Sequence, residues 1–96
     1  MMYFREAVSF DDVIDFAESQ GWSVPFPIGW GYVDAYSVKV RIDANTEPIF
    51  LMFKKNKITS DKKEIKVSKM TQQRWRQFVK NVYARRKKEL VHPQYI

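Results

Sequence analysis

Ninety-six residues make a single domain. Hydrophobic residues at 45% and charged residues at 29% match globular usage, which excludes a collagen-like fibre, a coiled coil and wholesale disorder. The absence of cysteine excludes a disulfide framework and a thiolate metal site, and 17 Lys and Arg against 11 Asp and Glu leave a net charge of +6.

Along the chain, Ser9-Phe10-Asp11-Asp12 opens a helix over about residues 10–20. Ser9 is placed to cap it, with Asp12 three residues on in a variant of the capping box. Phe10, Val13, Ile14 and Ala17 recur at i, i+3, i+4 and i+7, the spacing of one buried stripe. Gly21 stands where a left-handed C-cap falls, and Asp15 and Glu18 lie on the outer side. Residues 22–31 hold two prolines and two glycines, so neither a regular helix nor a central strand fits. Trp22, Val24, Phe26, Ile28 and Trp30 nevertheless alternate, which predicts an extended loop or edge segment with one apolar side.

A strand is expected from Tyr32, half-buried where Val38, Val40 and Ile42 alternate with Lys39 and Arg41. Asp43 to Pro48 reads as a turn. Ile49 to about Lys55 is a second strand, apolar on both faces and therefore central. After a turn at Ser60–Lys63, a third strand is expected at Glu64–Ser68 with Ile65 and Val67 inward. The last helix covers about residues 69–90, capped by Ser68 or Thr71, with a short tail at 91–96. Trp75, Phe78, Val79, Val82 and Tyr83 form its apolar arc. Arg86 interrupts that arc, so the helix is expected to leave the core near Ala84 and project its last turn into water.

The fold class is thus α+β: a single small domain in α-β-β-β-α order, with a three-stranded antiparallel sheet packed against two helices. That order is similar to double-stranded-RNA-binding domains, but their Gly-Pro-x-His loop and Lys-Lys-x-Ala-Lys helix start are missing. Ile65-Lys66-Val67 leading to Trp75 resembles single-stranded-DNA-binding coactivator domains over about a tenth of the chain. Neither likeness identifies a family.

Charge is the stronger guide to function. Residues 1–48 carry three basic and eight acidic residues, a net −5; residues 49–96 carry fourteen basic and three acidic, a net +11. Such asymmetry marks a basic face directed at a polyanion. From Lys66 to Lys88 no acid interrupts the cations, whereas an ordinary solvated helix mixes signs for i, i+4 support. The candidate nucleic-acid contacts are Arg74, Arg76, Lys80, Arg85 and Lys88 on the last helix, and Lys54, Lys55 and Lys66 in the lysine-rich strand region. Trp22, Phe26 and Trp30 are candidate partner-binding residues, although closing a small core accounts for them as well. No Lys or Arg lies between residues 6 and 38 to accompany a stacking platform.

Catalytic chemistry has little to stand on. His92, beside Pro93, is the sole histidine, and neither a phosphate-binding loop nor a dinucleotide fingerprint is present. No enzyme activity, cofactor or metal is expected. The function expected is a small basic module that binds DNA or RNA. The alternative is an inhibitor or adaptor of phage or plasmid type that binds a protein or nucleoprotein complex. The N-terminus lacks a signal peptide's charged head and apolar stretch, and no apolar run is long enough to span a membrane. A cytoplasmic protein without membrane partners is expected.

Overall fold

The computed structural model describes residues 8–25, 29–32 and 35–90. The elements are α1 (Phe10–Ser19), β1 (Gly29–Tyr32), β2 (Ala35–Val40), β3 (Ile49–Lys54), β4 (Ile58–Ser60) and α2 (Lys69–Leu90). The four strands form one antiparallel sheet in the order β1-β2-β3-β4.

The class is α+β, and two strands depart from expectation. The sheet has four strands, not three, because the Pro/Gly-rich segment contributes β1 as an edge strand and the strand expected from Tyr32 separates into β1 and β2. Tyr32 of β1 pairs with Ala35 of β2. The last strand is Ile58–Ser60, not Glu64–Ser68. Ile65 and Val67 do pack against the core, but from irregular backbone. Their alternation therefore records one-sided burial without a ladder, and the Ile65-Lys66-Val67 likeness to coactivator domains loses its strand.

α1 forms as its sequence dictates. The Asp12 amide donates to Ser9 Oγ at 3.2 Å and the Ser9 amide to Asp12 Oδ2 at 2.9 Å, a reciprocal capping box. At the other end Gly21 takes φ +83°, its amide donates to Glu18 O, and the Trp22 amide donates to Ala17 O. That pair of bonds is a Schellman ending, which needs a residue free to adopt the left-handed region.

α2 starts on Ser68, whose Oγ accepts from the Thr71 amide at 3.1 Å. Its first turn holds no acid to complement the helix dipole, so tertiary contacts must hold it. Trp75, Val79 and Val82 are buried against Phe16 of α1 and the inner sheet residues Tyr36, Val38, Val40, Ile49, Leu51, Phe53 and Ile58. Phe16 is the hub: its ring lies 5.1 Å from Trp75, 5.4 Å from Phe78 and 6.3 Å from Phe53, centroid to centroid. Gln72 docks α2 on the sheet edge, accepting from the Ile58 amide at 2.7 Å and donating to the Ile58 carbonyl at 2.6 Å. It thereby satisfies edge backbone groups that a fifth strand would otherwise pair.

Both helices share one face of the sheet. Trp30, Lys39, Phe50 and Met52 lie on the opposite side, as the period of two along each strand requires. Among the described residues no helix is long and apolar enough to cross a membrane.

Candidate nucleic-acid interface

The cationic residues of the second half separate into groups with different surroundings. The most coherent group lies where the β3–β4 hairpin meets α2. The Lys54 amide donates to Lys57 O at 2.9 Å, closing a tight turn with Lys55 and Asn56 at its tip. Two successive α2 residues hold this turn. Trp75 Nε1 donates to the Lys54 carbonyl at 2.6 Å from the buried side, and Arg76 Nη1 reaches the Asn56 carbonyl at 3.4 Å from the solvent side.

Between hairpin and helix lies a cleft of about 540 Å³ lined by Lys55, Asn56, Arg76, Val79, Lys80 and Tyr83. The α2 members stand at i, i+3, i+4 and i+7, which puts them on one helix face. Val79 and the Tyr83 ring supply apolar wall, and Lys55 Nζ sits 5.4 Å from the centroid of that ring. Three cations and an amide share the cleft, and no acidic residue lines it. Chemically, it suits an anionic oxygen cluster attached to an apolar or flat group.

The other predicted contacts lie elsewhere. Arg74 faces α1, where its Nη1 donates to Gln20 Oε1 at 3.4 Å. Arg85 Nη2 lies 3.7 Å from Asp12 Oδ1 while its side chain stays 59% exposed. As far as Arg86, α2 does not leave the rest of the fold at Ala84 as expected, because Arg86 is half-buried and its Nη2 meets Asp12 Oδ2 at 3.1 Å; the side chains of the last turn, 87–90, lie outside the described residues. A cation on the apolar arc is thus accommodated by a carboxylate from α1 instead of by solvent. Gln77 and Asn81, which lie on the exposed face of α2, hydrogen-bond each other at 3.0 Å.

Lys54 is exposed on the side of the sheet away from the helices, and Lys66 is exposed beside Lys62, Lys63 and Gln72 at the β4 edge. Trp22 is half-buried with its ring edge-on to Phe16, so it closes the core. Trp30 is 56% exposed and does not. Phe26, His92 and the Lys88 side chain lie outside the described residues.

Sequence reasoning did not single out Asn56, Val79 or Tyr83 as site residues. Their signal was present in the four-residue spacing of Arg76, Lys80 and Ala84 beside the apolar arc, but the hairpin opposite them is a tertiary fact. Phe50 and Lys39, which face away from the core, carry only a strand signal in the sequence.

The Asp12 carboxylate is pulled in two directions. Burial pushes its carboxyl up, but the Ser9 amide and the Arg86 guanidinium together outweigh burial and hold it below the ordinary value. No cluster of His, Cys, Asp and Glu able to hold a metal occurs among the described residues. Comparison with protein families, curated proteins and solved structures found no match to this chain.

Proposed function

We propose that this chain is a non-enzymatic nucleic-acid-binding module that grips phosphates between the β3–β4 hairpin and the facing flank of α2. The observation that supports it is the convergence of Lys55, Arg76 and Lys80 on one cleft without an acid among its lining residues. Three like charges lining one cleft raise the local positive potential and so favour an anion there. Lys54 and Lys57 on the same hairpin extend the positive surface past the cleft. The acidic exposed side of α1, with Asp11, Asp15 and Glu18, is carried by a different element and would face away from the polyanion.

Paired charge reversals test the reading. Arg76→Glu with Lys80→Glu should keep the melting temperature within a few degrees and lower affinity for oligonucleotides more than about tenfold. Arg74→Glu, on the flank facing α1, should lower it far less. Equal loss from both sets would reduce the cleft to general electrostatics. Unchanged binding by the folded cleft variant would remove it as the site.

The second reading is an inhibitor or adaptor that binds a protein or nucleoprotein complex. The acidic side of α1 favours it, since that side offers a basic partner a separate docking surface. Capture of a protein partner from nuclease-treated lysate, lost on reversing Asp11, Asp15 and Glu18 to Lys, would support that reading over the first.

A further inference from the structure

We propose that the open face of the sheet is a base-stacking platform for single-stranded nucleic acid, with Trp30 and Phe50 as the stacking pair and Lys39 and Lys54 as the flanking cations. The inference rests on the nucleic-acid reading above and adds a strandedness to it.

The platform follows from register. Trp30 on edge strand β1 stands opposite Ser37 of β2, and Ser37 stands opposite Met52 of β3. Ser37 is small, so the indole reaches across β2 to Phe50 of β3. The two rings stack with centroids 5.1 Å apart and planes 29° from parallel. Gly31 makes this seat possible, because a Cβ there would lie 2.9 Å from Cε1 of the buried Tyr36 ring. β1 therefore lies close against β2 with Tyr36 beneath it and Trp30 on the far side.

A ring stacked on its neighbour has already lost much of its rotational freedom, so a base that joins the stack orders little more. More than half of Trp30 remains in water, an unusual exposure for the largest apolar side chain. Lys39 pairs with Phe50 in register and its Nζ lies 5.8 Å from that ring's centroid.

Charge selects the occupant. On the strand positions facing this side, Lys39 and Lys54 carry positive charge and no described residue is acidic, while Asp61, just past β4, bonds its amide to the Phe50 carbonyl and adds one acid at the rim, leaving the two lysines in excess. A second copy of the same face would bring like charges together. A duplex hides its base faces in its own stack, whereas a single strand offers them along with its phosphates. Lys54 also begins the hairpin whose tip lines the α2 cleft, so one cationic hairpin joins the platform to the cleft. The cations missing from residues 6–38 are thus supplied across the sheet by β2 and β3.

The test uses the whole chain with a fluorescent oligothymidine and a duplex of equal length. Wild-type protein should bind the single strand more tightly than the duplex, with quenching of tryptophan emission. Trp22 is half-buried and Trp75 is buried, so Trp30 should dominate the quench. Trp30→Ala should lose about 5- to 100-fold in single-strand affinity, the range of one stacked base, with duplex affinity unchanged. Trp30→Phe should restore most of the loss. Lys39→Gln, which leaves the rings intact, should weaken the single strand by a smaller factor.

Wild-type single-strand affinity in a folded Trp30→Ala protein, with the duplex still bound, would overturn the platform and leave the cleft standing. That is also the outcome if the open face docks a protein. No binding of either oligonucleotide by the wild type would overturn both readings.

Discussion

The guanidinium of Arg86 meets the carboxylate of Asp12 at 3.1 Å, joining the far part of α2 to the first turn of α1 across most of the sequence. The same carboxylate accepts the Ser9 amide, so one side chain caps a helix and anchors another. Its folded pKa lies below the ordinary value, because the Ser9 and Arg86 interactions outweigh the upward push of burial. A carboxyl depressed on folding adds stability that is full above its unfolded pKa and disappears as pH falls through the folded value. Asp12→Asn should therefore lower stability by about 1–2 kcal/mol at neutral pH. In urea denaturation the gap from wild type should close as pH drops below about 4. A gap independent of pH would contradict the role of the charge.

Trp75 joins the core to the candidate site. Its ring lies between Phe16, Phe53 and Phe78, and its Nε1 donates to Lys54 at the base of the hairpin. Trp75→Ala should cost about 3–5 kcal/mol, enough to unfold a domain this small. Trp75→Phe keeps a ring and deprives the Lys54 carbonyl of that donor, so it should stay folded at a cost of about 1–3 kcal/mol. Equal stability of Trp75→Phe and wild type in denaturant titration would show that this bond contributes nothing.

Gln72 should behave as a substitute strand. Gln72→Ala removes both of its bonds to Ile58 and should cost about 1–3 kcal/mol. Hydrogen exchange of the Ile58 amide should accelerate ahead of the amides in β3. Unchanged protection at Ile58 would mean that another group satisfies the edge.

Gly21 and Gly31 constrain the chain for different reasons. Gly21→Ala should cost about 1–2 kcal/mol because φ +83° disfavours any Cβ, even though nothing lies within 4 Å. Gly31→Ala meets the Tyr36 ring instead and should displace β1, costing about 1–3 kcal/mol. Thermal melts of both variants, with near-ultraviolet circular dichroism to follow Trp30, check this. An unshifted Gly31→Ala spectrum would argue against close seating of β1.

Local signals were legible in the sequence. The capping box at Ser9 and Asp12, the Gly21 ending, the apolar arc of α2 and the core place of Trp75 all depend on residues within a few positions of one another. What escaped depends on residues far apart. Ile65 and Val67 alternate like a strand, but Ile58 wins the edge of β3 because the Lys55-Asn56 turn places it there first. Arg86 looked like an exit from the core because its partner Asp12 stands on the first helix. Trp30 looked unaccompanied by cations because Lys39 and Lys54 come to it through register. The convergence of Lys55 with Arg76 and Lys80 was hidden for the same reason, although each was a candidate by charge alone.

The most direct measurement of the central claim is the salt dependence of oligonucleotide affinity, for wild type and for Arg76→Glu with Lys80→Glu. If the hairpin and α2 neutralise about four to six phosphates, log K should fall with log salt at a slope of about −3 to −5. The double variant, still folded, should show a slope shallower by about two or more together with weaker binding at low salt. A wild type that binds neither single strand nor duplex at low salt, or a folded variant with the wild-type slope, would contradict the account.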